Sequence, residues 1–241
     1  MKRIKNIEEY LKIIKKFYDT EGCVGIDKIY YRGQSNSNYK LIPSLSHRLD
    51  GYTEDDENYI AFESKIVNEA KLEYPNIFAD NNQIDELALM QHYGLPTRLM
   101  DVTESPLIAL YFACIGNKKC DGEVFIFNSG INASVFSSYE EKRMKKENKI
   151  AFVKAKIFSE RQRAQQGLFM WFPDKKLRGI EKNPTKNPFI SKILIVPADK
   201  KEELLSELKM IGISSKSIFP DNIDICCKDM LKDIVKDAYS C

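Results

Sequence analysis

The sequence predicts a single α+β domain, and three observations carry that prediction. Stretches with helical spacing and stretches with strand character are interspersed along the chain rather than gathered into separate blocks. No internal repeat is visible, and no flexible linker divides the chain. At 241 residues and 43% apolar content, the chain can bury a sizeable core. The domain is therefore read as spanning residues 1–241 as one unit.

Composition narrows the function. Thirty-seven basic and 35 acidic residues leave a formal charge of +2, which argues against a strongly electrostatic nucleic-acid binder. Six cysteines show no CxxC spacing, and His47 and His92 are the only histidines. With no leader-like start, these read as reduced thiols of a cytoplasmic protein, and no metal is expected. No apolar run approaches the roughly 18 residues that cross a bilayer, so no membrane partner is expected.

The chain is organised around Met90–Cys114, MQHYGLPTRLMDVTESPLIALYFAC. Gly94 and Pro96 should end a helix entering from Asn82 or Asp85, because proline disfavours the α region in the residue before it. Pro106 suits the first turn of a new helix. The run Leu107–Cys114 is apolar all round and so predicts a helix buried on every side. Between these helices lies a polar elbow from His92 to Ser105, a linker and a strand dense in reactive side chains. His92 has the chemistry of a general base. Arg98 and Asp101 read either as a salt bridge that pins the elbow or as a catalytic pair.

The remaining elements follow from periodicity. Ile4, Ile7, Leu11, Ile14 and Phe17 (or Tyr18) predict an N-terminal helix over 2–19. Asp27–Tyr31 reads as a strand running into a polar loop, Arg32–Asn38, whose Gly33 permits close approach of the backbone to a ligand. Lys40–Arg48 is compact and mixed. An acidic start at Glu54 opens a helix with Tyr59, Phe62, Ile66, Ala70 and Tyr74 inward. Later strands are expected at Glu123–Asn128, Ala151–Phe158, Gly167–Phe172 and Phe189–Val196. Helices are expected over Tyr139–Lys149, Lys200–Met210 and 222–237, with a surface loop over Pro173–Pro188. Four polar knots, each beside a strand end, are candidate site segments: Arg32-Gly33-Gln34, the elbow, Arg161–Gly167 and Phe219-Pro220-Asp221. The chain lacks GxGxxG, GxxxxGK[ST] and Gly-x-Ser-x-Gly patterns.

YRGQSNSNYKLIPSLSHR, LMQHYGLPTRLMDVTESPLIALYFAC, RQRAQQGLF and GISSKSIFPD together resemble the FRG domain family over about Ile29–Asp221. The motif order is similar, more distantly, to that of the ADP-ribosyltransferase superfamily. The resemblance implies a central, partly split antiparallel sheet with packed helices. It further implies an NAD or nucleotide pocket in which Arg32, Gly33, Gln34, Thr97, Arg98, Thr103 and Tyr111 hold the cofactor. Catalysis would fall to Gln166, His92 and Asp101. The superfamily's third motif carries Glu, or in some branches Gln, at a strand start; Gln165 and Gln166 both fit, and Gln166 is taken. A neutral Gln stabilises the cationic ribose of the transition state poorly. Three functions stay open: an ADP-ribosyltransferase or NAD glycohydrolase of phage defence or stress response, a catalytically inactive nucleotide sensor, and a protein-interaction module. The acceptor would be water, protein or nucleic acid.

Overall fold

The computed structural model describes residues 1–21, 28–49, 56–78, 81–129, 134–223 and 225–227. In chain order the first elements are β1 (Lys2–Arg3), α1 (Ile7–Glu21), β2 (Ile29–Gln34), α2 (Ser44–Leu49), α3 (Asp56–Glu73), α4 (Pro75–Phe78) and α5 (Gln83–His92). Next come β3 (Leu99–Thr103), α6 (Pro106–Cys114), β4 (Gly122–Asn128), β5 (Val135–Ser137), α7 (Glu141–Glu147) and β6 (Ala151–Lys154). The last are α8 (Glu160–Ala164), β7 (Gly167–Trp171), β8 (Ile190–Val196), α9 (Lys201–Met210) and α10 (Ser215–Ile218). The class is α+β, as the interspersed patterns predict.

The strands form a mixed sheet in the order β1-β8-β4-β2-β3-β7-β6-β5. Its middle is antiparallel, whereas the outermost pairs, β1 with β8 and β5 with β6, are parallel. One seam is thin. β2 runs along β4 from Ile29 to Gln34, and β3 runs along β7 for its whole length. Between β2 and β3 a single pair, Tyr31 with Thr103, holds register. Beyond that pair the two strands part, and the sheet is split there.

Helix α6 explains its own composition. It lies between the sheet and the helices α1 and α9, in a core with Tyr10, Phe17, Tyr31, Val124, Leu194 and Leu204. Two glycines let it lie flat on the strands. A Cβ at Gly33 would fall 1.8 Å from the Ala109 carbonyl oxygen, and one at Gly122 would fall 2.2 Å from that of Ala113. So Gly33 is required first by helix packing, not by the approach of a ligand. Ser105 caps α6 by accepting from the Ile108 amide, with Pro106 in the first turn. Asn82 caps α5 through the Asp85 amide, and Gly94, at φ +84°, turns the chain out of that helix.

Several boundaries differ from the sequence reading. The N-terminal helix starts at Ile7, because Lys2–Arg3 add to the sheet beside β8. Its inward face takes Tyr10, while Leu11 is 40% exposed; the Tyr10 hydroxyl donates to the Pro106 carbonyl at 2.7 Å. Arg32-Gly33-Gln34 is strand rather than loop, since β4 pairs with it as far as Glu123. α3 stops at Glu73, which leaves Tyr74 exposed. β6 stops at Lys154, short of Phe158. The helix expected over 222–237 lies for the most part outside the described residues. Among the described residues, no helix is long and apolar enough to cross a membrane.

Cys114, at the end of α6, is buried, and burial pushes its thiol up to about 12; nearby Lys201 opposes the shift and Glu202 adds to it. The thiolate is the nucleophile, so Cys114 should resist iodoacetamide at pH 8 while the exposed Cys227 reacts. Peptide mass spectrometry of native protein reads the difference. Equal labelling at both positions would show that α6 opens readily.

Candidate functional site

The split between β2 and β3 opens into a cavity of about 280 Å³. Its walls come from Arg32 and Gly33 on β2, Asp101 and Thr103 on β3, Gln91 and His92 at the end of α5, Phe112 on α6, Arg161 and Gln162 on α8, Gln165 just beyond it, and Phe169 on β7. Three of the four polar knots thus meet in space, although Arg32 and Gln165 stand far apart in sequence. The fourth closes one side. The Arg161 guanidinium stacks on the Phe219 ring at 5.1 Å, and its backbone amide donates to the Asp221 carboxylate at 3.3 Å. Phe112 meets Phe219 edge-on at 6.0 Å.

Arg32 occupies the seam. Antiparallel pairing would have engaged the Asp101 carbonyl with β2, but the strands have parted there. Instead Arg32 Nη1 donates to that carbonyl at 2.6 Å. Its Nε is buried and has no hydrogen-bond partner. Burial holds the Arg32 guanidinium below its ordinary value, and the Asp101 charge opposes that shift. Arginine keeps its proton regardless, so a residue that lines the cleft carries a buried cationic N–H without an acceptor. Groups in that condition cost stability and call for an explanation.

The other cleft residues are held by local bonds. The Thr103 hydroxyl donates to the Gln165 carbonyl at 2.8 Å, and the Glu104 amide donates to that of Gln166 at 3.1 Å; together these tie α8 to β3. Gln165 Nε2 donates to the Ile218 carbonyl at 3.2 Å. Gln162 takes up the Phe158 amide at 3.0 Å and donates to the Lys156 carbonyl at 3.1 Å, so its amide serves the loop before α8.

Of the residues the sequence singled out, Arg32, Gly33, His92, Asp101 and Thr103 line the cleft. Gln166 does not. It stands at φ +45°, a left-handed turn that carries the chain from α8 into β7 and leaves its side chain exposed. Gln165 lines the cleft in its place. Gln34 is buried elsewhere, donating to the Tyr39 carbonyl at 3.0 Å and lying beside Glu123. Thr97 is buried behind the cleft. Tyr111 turns into the core against Phe219, and its neighbour Phe112 faces the cleft instead.

Arg98 and Asp101 do not pair. They sit three positions apart on a path that becomes an alternating strand, and Asp101 is exposed to the cleft. Arg98 instead reaches the buried Glu63 of α3, through Nε at 2.6 Å and Nη2 at 2.5 Å, and Asp174 through Nη1 at 2.6 Å. Burial pulls the guanidinium down, but the charges and hydrogen bonds of Glu63 and Asp174 outweigh it and leave Arg98 above its ordinary value. A larger hollow of about 490 Å³ lies over this cluster. The Arg98 charge there is neutralised within the fold, so the smaller cleft is the better candidate.

Arg161 was legible in the sequence only as part of a polar knot, Tyr111 was preferred to its neighbour Phe112, and neither Gln91 nor Phe169 was given a site role. Phe112 and Tyr111 could not be told apart, because a helix apolar all round carries no phase.

No curated protein and no solved structure matches the chain. Residues 27–122, which include β2, the elbow, β3 and α6, match the FRG domain.

Proposed function

We infer that the cleft binds a nucleotide of the NAD type. The observation that carries this reading is the buried, unpartnered Nε of Arg32 at the parting of β2 and β3. A charged N–H of this kind suits a phosphate or ribose oxygen. Phe112 and Phe169 are among the residues that line the cleft, and aromatic rings suit contact with a planar heterocycle. A cavity of about 280 Å³ lies just under the usual range for small-molecule sites. It would enclose one end of a dinucleotide and leave the other at the surface.

Asp101 supports a second reading, catalysis at the N-glycosidic bond. It contributes the carboxylate among the described residues that line the cleft. Breaking that bond develops positive charge on the ribose, which a placed carboxylate stabilises. Water, a protein or a nucleic acid would accept the ADP-ribosyl group. The nearby Arg32 charge competes for the same carboxylate, so turnover is expected to be slow.

Calorimetry with NAD tests both readings. Arg32→Ala should weaken binding by about 1.5–3 kcal/mol, the size of a hydrogen bond to a charged group. Asp101→Asn should retain binding and lose release of nicotinamide. Wild-type protein that binds no NAD at millimolar concentration would overturn the nucleotide reading.

A further inference from the structure

Resting on the nucleotide reading, we propose that Gln91 recognises the acceptor edge of the ligand's planar ring, and that Thr97, out of the ligand's reach, is the positioning residue that aims it. A carboxamide oxygen like that of nicotinamide is the matching group.

The argument follows the hydrogens. Thr97 is completely buried at the base of the elbow. Its hydroxyl oxygen accepts the Leu99 amide at 3.2 Å, which leaves the hydroxyl proton free to be donated. It goes to Gln91 Oε1 at 2.6 Å. Ser44 fixes the same residue through its backbone, accepting the Thr97 amide at 3.0 Å, so the hydroxyl has little freedom. With Oε1 engaged behind the cleft, the Gln91 amide presents its Nε2 to the cavity that the residue lines. A glutamine amide could otherwise face a ligand with either end, as donor or as acceptor. Thr97 removes that ambiguity.

The other glutamines on the wall are fixed differently. Gln162 is held by the Phe158 amide and the Lys156 carbonyl. Gln165 gives its Nε2 to the Ile218 carbonyl, which leaves its oxygen as the end open to accept. Arg32, His92, Arg161 and Asp101 also line the wall, but Gln91 is the amide there whose oxygen is engaged by a buried hydroxyl. A donor and an acceptor on the walls of one cleft match a primary carboxamide, which carries a carbonyl oxygen and an NH₂. A ligand that lacks the ring loses this contact and keeps the one with Arg32.

The test compares NAD with ADP-ribose, which lacks the nicotinamide ring, by calorimetry on the full chain. Thr97→Val and Gln91→Leu should each weaken NAD binding by about 2- to 10-fold, the range of one neutral hydrogen bond. ADP-ribose affinity should change far less, and Thr97→Ser should restore NAD affinity. Arg32→Ala should weaken both ligands. Gln91→Leu keeps the test sharp should Thr97→Val fold poorly, since Gln91 is only part-buried. Equal losses for both ligands in the Thr97 and Gln91 variants would overturn the proposal, as would NAD affinity unchanged in both while Arg32→Ala loses it. Wild-type protein that binds neither ligand would overturn the nucleotide reading itself and this proposal with it.

Discussion

Glu63→Ala is expected to destabilise the chain by about 3–5 kcal/mol, the cost of leaving a buried charge uncompensated. Glu63 is 3% exposed and its carboxylate takes up three donors of Arg98, the backbone amide among them at 3.0 Å. Removing it strands the guanidinium and unties α3 from the elbow in one step. Asp174→Ala should cost far less, because the Asp174 side chain is 55% exposed and water can replace it. Chemical denaturation measures both. The double change of Glu63→Leu with Arg98→Met separates charge from packing: apolar replacement of a buried pair is often neutral, so it should recover much of the loss. A Glu63→Ala loss below about 1 kcal/mol would mean that the pair is solvated.

The second large effect is expected at Gly33. Alanine there sets a methyl group 1.8 Å from the Ala109 carbonyl oxygen and 2.7 Å from the Ala113 amide nitrogen. Both are helix backbone, so no rotamer relieves the clash, and α6 must lift from β2. Overpacking costs about 1–3 kcal/mol and at times more; Gly33→Ala should lie at or above the top of that range. Gly167→Ala is the control, since its nearest neighbour would be the Gln162 carbonyl oxygen at 3.6 Å, an ordinary contact. Because α6 and β2 both line the cleft, Gly33→Ala should also lose ligand binding, whereas the thermal transition of Gly167→Ala should stay near that of the wild type. Comparable melting temperatures for the two variants would contradict this packing account.

What the sequence disclosed and what it hid both have physical causes. Capping and proline signals act locally, so the ends of α5 and α6 were legible from Asn82, Gly94, Ser105 and Pro106. The convergence of polar knots was legible too, because each stood beside a strand end. The phase within the knots was not. Gln165 and Gln166 are equivalent as letters, and only the left-handed turn at Gln166 decides which faces inward. Arg98 found its carboxylates in α3 and in the segment after β7, distances along the chain that no spacing rule encodes. β1 and β5 are edge strands of two and three residues, too short for an alternating pattern to show. Gly33 was read as room for a ligand because sequence cannot say which neighbour fills the space above a glycine.

The strand order also bears on how the chain can be cut and in what sequence it can assemble. Residues 27–122 contain β2, β3 and only the first residue of β4, yet the full neighbours of those strands lie later: β7 beside β3 and β8 beside β4. A fragment ending at 122 would expose β3 along the edge that β7 covers, and it would leave β2 without the partner it follows from Ile29 to Gln34. Bare edges of this kind invite pairing between chains. At the other flank, Lys2 takes its register from Leu194, so the sheet cannot close at that side until the ribosome has passed β8. Long-range pairings of this sort slow folding. The stretch 27–122 is therefore expected not to fold as a cooperative unit by itself, because the sheet it belongs to is paired from Lys2 to Val196.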